Sequence, residues 1–160
     1  YVNIEDIKRN TLVKTYLHGY KKINKLVYLK FKNSSLNSSN YACGIYKLNK
    51  NKDANLIDDL YVSGQHSLLV DELSTKQINK MMNLWSQLLK IDDKFLLMAY
   101  ADERYEKVCN DKEWELYQIV LEHDNNSCRY GIYANGILSE TMSLQTFMIK
   151  KKGIDLYSIK

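Results

Sequence analysis

Apolar and polar residues alternate along much of the chain, with a period of two far more often than the three to four of a helix. Val2 to Ile7 alternates before Lys8-Arg9-Asn10 turns the chain, Leu12 to Tyr16 resumes as a strand, and His18-Gly19 turns it again. Ile23, Lys25, Val27, Leu29 and Phe31 then share one side of a further strand, so the chain opens as a tight β meander. A polar loop from Asn33 to Asn40 precedes a strand from Tyr41 to Leu48, and the charged Asn49 to Asp53 turn leads to Leu60-Tyr61-Val62-Ser63. Gly64 breaks that run before Leu68-Leu69-Val70 resumes it, giving strand, tight turn, strand. Further on, Phe95 to Tyr100 reads as a buried strand and Glu113 to His123 as an alternating one, with the polar Glu103 to Lys112 between them a loop. Tyr130 to Ala134 and Ile137-Leu138 flank Asn135-Gly136, the dipeptide that tight hairpin turns favour.

One segment departs from this period. Ser74-Thr75-Lys76-Gln77 has the order of a capping box, and Ile78, Met81, Met82, Trp85, Leu88 and Leu89 follow at helical spacing. This predicts a helix from Ser74 to Lys90 whose apolar stripe belongs to the core. Met142 to Ile149 predicts a second, shorter helix near the end.

Composition narrows the class. A chain of 160 residues, 45% hydrophobic, is long enough for one domain with its own core, and no apolar run approaches the ~20 residues that cross a bilayer. No membrane partner is expected. The net charge of +4 comes from scattered lysines, and its one cluster, Lys150-Lys151-Lys152, lacks interleaved aromatics and reads as a solvated face rather than a nucleic-acid patch. Cys43, Cys109 and Cys128 have no metal-ligand spacing and read as small buried hydrophobes, so neither metal nor cofactor is expected. Two N-x-S triplets, at Asn33 and Asn37, read as coincidence in so Asn-rich a chain.

The candidate chemistry lies in the strand-turn-strand stretch. Ser63 and His66 stand three residues apart across the Gly64 turn, where a hydroxyl and an imidazole converge on one peptide bond. The histidine would protonate a departing amide nitrogen while the hydroxyl and turn amides hold the carbonyl oxygen. The competing reading is that His66 only closes the turn with a hydrogen bond. Gly44-Ile45-Tyr46 with Tyr61-Val62 also resembles a GIY-YIG nuclease, but residues 62 to 103 contain none of the arginine such a site needs.

Three stretches together resemble the Hint domain, the self-processing fold of hedgehog C-terminal domains and inteins, in the versions encoded by large DNA viruses and some protists. They are Tyr1 to Ile7 with Val13 to Tyr20, Leu60 to Val70, and Tyr130 to Leu138. The resemblance implies an all-β horseshoe of curved hairpins with pseudo-twofold character. It would be a single domain over residues 1–160, with a helical insertion at about 72–90. It also implies an N-to-S acyl shift. A thiol at the head of the domain attacks the preceding carbonyl, His66 protonates the leaving nitrogen, and Ser63, in place of the family's threonine, orients the scissile bond. The substrate would be the protein's own upstream polypeptide, and the compartment is left open between virion and host cytoplasm.

The sequence departs from that pattern at its reactive ends. Tyr1 falls inside the family's first block, so the attacking thiol is expected upstream of it; Glu140-Thr141 stands where the closing His-Asn pair would be, and Met142 where the downstream nucleophile would be. A thioether does not attack as a thiolate does, so full splicing is not expected. N-terminal cleavage remains, with a catalytically inactive Hint domain, kept as a structural or interaction module of a viral or surface protein, as the alternative.

Overall fold

In the computed structural model, which describes residues 1–34, 42–151 and 157–159, the period-two alternation resolves into twelve strands among the described residues. In chain order they begin with β1 (Leu12–Lys14), β2 (Tyr20–Lys32), β3 (Ile45–Leu48), β4 (Leu60–Ser63) and β5 (Ser67–Val70). Helix α1 (Thr75–Trp85) precedes β6 (Lys90–Ile91), β7 (Lys94–Met98), β8 (Tyr105–Lys107) and β9 (Glu113–Leu121). The hairpin β10 (Gly131–Ala134) and β11 (Ile137–Glu140) is followed by α2 (Leu144–Lys151) and β12 (Tyr157–Ile159). The protein is all-β with a few helices.

Every pair of these strands is antiparallel among the described residues, and they form three curled sheets with a half-barrel. The first is organised on β2, which carries β9 along one edge and β1 and β12 along the other. The second has the order β10-β11-β5-β7-β6 and the third the order β4-β3-β8. Inward positions of β2 and β9 bury Ile23, Leu26, Ile119 and Leu121 with Tyr130 and Ile132. Leu48, Val62, Leu68, Tyr105 and Ile137 join the second and third sheets in another cluster. Each such aliphatic side chain contributes on the order of 1.5–3 kcal/mol by leaving water, which fixes which face of every strand points inward.

Local chemistry accounts for the turns. Ser74 accepts the amide of Gln77 and Gln77 accepts the amide of Ser74, so the capping box forms as its residue order predicts. Asn135 and Gly136 both take positive φ, 50° and 90°, in the tight turn between β10 and β11. That turn docks on the preceding loop: a Cβ on Gly136 would run into the Asn55 carbonyl, and Asn135 bonds Asp58 through both its amide atoms.

Five expectations are corrected. Val2 to Ile7 is not a strand; Ile4–Asp6 is a 3-10 turn, because Ile4 and Ile7, three apart, both pack on the β2–β9 cluster. The strand expected from Tyr41 begins at Ile45 within the described residues. Helix α1 ends at Trp85 rather than Lys90: Ser86 turns left-handed, Leu88 packs on the Met81 and Leu97 cluster, and the Leu89 carbonyl accepts the Leu96 amide. The expected Glu103 to Lys112 loop contains β8, held by Arg104, which grips Asp102 through two nitrogens and reaches Asp53 at 2.7 Å. The cysteines are not buried, Cys43 and Cys109 being exposed and Cys128 half-exposed.

Asn33 is 1% exposed and bonds Val108, Asn110 and Ile45, so its triplet is a structural joint. Asn37 and the side chains of Lys150 to Lys152 lie outside the described residues. No helix among the described residues is long and apolar enough to cross a membrane.

Candidate functional site

The turn after β4 is where the three sheets meet. β4 belongs to the third sheet and β5 to the second, so the chain changes sheets between Ser63 and Ser67 instead of folding back as a hairpin. His66 closes that turn by donating its amide to the Ser63 carbonyl at 3.0 Å, and its own carbonyl accepts the amide of Ala99. Gly64 is required here because a Cβ would lie 2.6 Å from the Ala42 carbonyl oxygen and 2.8 Å from the Tyr46 ring.

The half-buried His66 ring reaches toward the other two sheets. Its Nε2 lies 2.6 Å from Ser139 Oγ on β11, and its Nδ1 lies 3.5 Å from the Gln118 amide on β9. With the Gln118 nitrogen donating to Nδ1, the ring proton sits on Nε2 and points at Ser139. Ser139 is 2% exposed. Beside this pair, the Ser67 amide donates to Glu140 Oε1 at 3.1 Å, and Arg129 reaches Glu140 Oε2 at 3.3 Å. The Ser67 hydroxyl, 1% exposed, has no partner among the described residues.

Of the two residues singled out in the sequence, His66 is brought to this junction and Ser63 contributes its carbonyl to the turn. The partners of His66, Gln118 and Ser139, are not among the residues that the sequence singles out. A signal for Ser139 exists: it follows Ile137 at period two on the buried face of β11, where an apolar residue is the rule. Gln118 carries no comparable signal.

Chemically, the arrangement is an imidazole whose proton is held against a buried hydroxyl, next to a carboxylate neutralised by an arginine. It fixes the orientation of the ring and the place of its Nε2 proton. Among the described residues no group of three or more His, Cys, Asp or Glu could hold a metal ion. No protein-family model matches the chain, and neither a curated protein nor a solved structure matches it.

Proposed function

We propose that the chain is a self-processing acyl-transfer domain of the Hint type, in which His66 is the proton donor for cleavage of the peptide bond ahead of the domain. The observation that carries this reading is the His66–Ser139 pair at the meeting point of the three sheets, with Nε2 2.6 Å from the hydroxyl. A thiol upstream would give its proton to His66 and form the C–S bond, and the imidazolium so formed would pass that proton to the leaving nitrogen as the C–N bond breaks. Water then releases the upstream segment as a carboxylate and regenerates the thiol. Ser63 supports the turn that aims the imidazole. The horseshoe of curved hairpins with pseudo-twofold character belongs to this proposal; the sheets' antiparallel curl agrees with it.

A second reading rests on a specific feature of the same pair. Ser139 is buried and holds Nε2, which is also how a purely structural histidine is satisfied, and the place of the closing His-Asn pair is taken by Glu140-Thr141. In that reading the domain is an inactive structural or interaction module.

The two separate by intact mass of the protein expressed behind the residues that precede Tyr1 in its gene, wild type beside His66→Ala, with and without added thiol. The acyl-transfer reading expects two fragments that increase with thiol, forming about 10²–10⁴-fold more slowly in the variant. Uncleaved chains throughout, from a protein with native circular dichroism, would leave the inactive module.

A further inference from the structure

A second polar cluster lies apart from His66, around a cleft of about 420 Å³. Its walls come from the β1–β2 hairpin with His18 and Lys21, the β6–β7 hairpin with Lys90 and Asp92, and the segment after β9 with His123, Arg129 and Tyr130. That volume is within the usual range for small-molecule sites.

Two of its polar groups are more than nine-tenths buried and unmatched. His18 Nε2 lies 2.6 Å from Asp92 Oδ1, but Asp92 Oδ2 has no hydrogen-bond partner among the described residues although the side chain is only 7% exposed. The hydroxyl of Tyr130, a residue 4% exposed, is likewise unpartnered. Leaving such groups unpaired forfeits their hydration without return, more so for a charge, and folded proteins seldom carry that without a use. Asp92 also sits in a left-handed turn, with φ of 52° at Asp92 and 63° at Asp93, so the carboxylate is placed by backbone geometry rather than by side-chain choice.

The other formally charged residues of the lining are cationic, Lys21, Lys90 and Arg129. Lys21 Nζ lies 5.7 Å from the centre of the Tyr130 ring, and the His18 and His123 rings flank the same tyrosine at 5.3 and 5.8 Å. His123 accepts the Asn125 amide at Nδ1, which leaves its neutral ring a donor at Nε2. Arg129 spends Nη1 on Glu140 and keeps further N–H groups. Asp92 is the sole acidic residue among those lining the cleft, against Lys21, Lys90 and Arg129. An anion is therefore favoured overall, while one buried acceptor requires a donor. A metal ion is not the answer, because no three of the described His, Cys, Asp or Glu side chains converge.

We propose that this cleft binds a small organic anion that also carries a hydroxyl, the anionic group lying against Lys21 and Arg129 and the hydroxyl donating to Asp92 Oδ2. This site does not rest on the acyl-transfer reading, although Arg129 also reaches Glu140 beside His66. Burial pushes the Tyr130 hydroxyl pKa up, aided by Cys128 and then Asp92, so it stays a neutral donor for the same ligand at physiological pH.

The test is a titration of the full chain, followed by amide chemical shifts in nuclear magnetic resonance, with glycerol 3-phosphate as probe and with inorganic phosphate and glycerol as its two halves. The expected result is saturable shifts at residues 18–21, 90–92 and 128–130 with glycerol 3-phosphate, and at least tenfold weaker binding of either half. Asp92→Asn and Lys21→Met, each with its melting temperature measured to show that it is folded, should each weaken the probe roughly tenfold, about the loss of one charge-assisted contact. Phosphate binding as tightly as the probe would overturn the proposal in favour of a general anion patch. So would the absence of saturable shifts, or equal affinity in Asp92→Asn.

Discussion

Two histidines in this protein are tied to partners 73 and 74 positions away, and they are tied in opposite ways. His66 meets a neutral hydroxyl, Ser139, with Gln118 near its other nitrogen, inside a junction of three sheets. His18 meets a carboxylate, Asp92, on the wall of a cleft, and the second carboxylate oxygen is left without a donor. The first arrangement closes on itself and favours precision of aim. The second leaves an unmet acceptor, which is what a ligand site looks like before its ligand arrives.

The largest expected difference between the two regions is in their turns. Gly64→Ala pushes a Cβ against the Ala42 carbonyl and the Tyr46 ring, and should cost ~2 kcal/mol, lowering Tm by roughly 5 °C for a chain of this size. Gly19, in the His18 turn, has φ of +67° and nothing within 4 Å of the added carbon. Gly19→Ala therefore suffers only left-handed strain, about 1 kcal/mol. Thermal denaturation of both variants checks this, and equal losses would mean that the β4–β5 turn is not the tighter of the two.

Next in size, and opposite in sign, are the two partner substitutions. Ser139→Ala removes the 2.6 Å hydrogen bond at the half-buried His66 Nε2 and should destabilise by about 1–2 kcal/mol. Asp92→Asn keeps an acceptor for His18, removes a buried charge that is only half matched, and suits the left-handed turn. It should be neutral or stabilise by up to about 1 kcal/mol in the absence of ligand. Urea unfolding of the two variants reads both signs, and a loss in Asp92→Asn comparable to that in Ser139→Ala would erase the contrast.

The two sites were unequally legible in the sequence. His66 could be found because its turn is local: Ser63, Gly64 and His66 fall within four residues, and the pattern of strand, break and strand is visible without any long-range information. The same spacing predicts a hydroxyl role for Ser63, and the structure adds a backbone one, its carbonyl accepting the His66 amide. The His18–Asp92 pair could not be found, since it joins two turns of different sheets and neither residue breaks its local pattern. The same physics separates the elements. α1 announced its start through a capping box, a local signal, but its end depended on where Leu88 packs. β8 is not legible because Tyr105-Glu106-Lys107 offers a single apolar position; the strand is placed by its ladder with β3 and by Tyr105 in the core, with Arg104 bridging Asp102 and Asp53 beside it.

The smallest expected effect comes from a half-exposed ion pair that serves as the reference for the two histidine pairs. Lys47 Nζ lies 2.6 Å from Asp59 Oδ2, and the Lys50 amide donates to Oδ1 at 2.9 Å. The Lys47 bond first, and then the Lys50 amide, hold the Asp59 carboxyl below its ordinary value of 3.8. A carboxyl whose folded pKa lies below its unfolded one binds fewer protons folded than unfolded, so its contribution is full above the ordinary value and is lost as pH falls through the lowered one. Tm measured from about pH 7 to about pH 3 should therefore show wild type above Asp59→Asn by a small constant margin that closes only at the acid end. Salt should shrink the margin, because both charges face water. A margin unchanged down to the lowest pH would mean that ionisation of Asp59 is not what the pair contributes. Ser139→Ala, which removes no charge, should leave the acid end of the curve parallel to that of wild type.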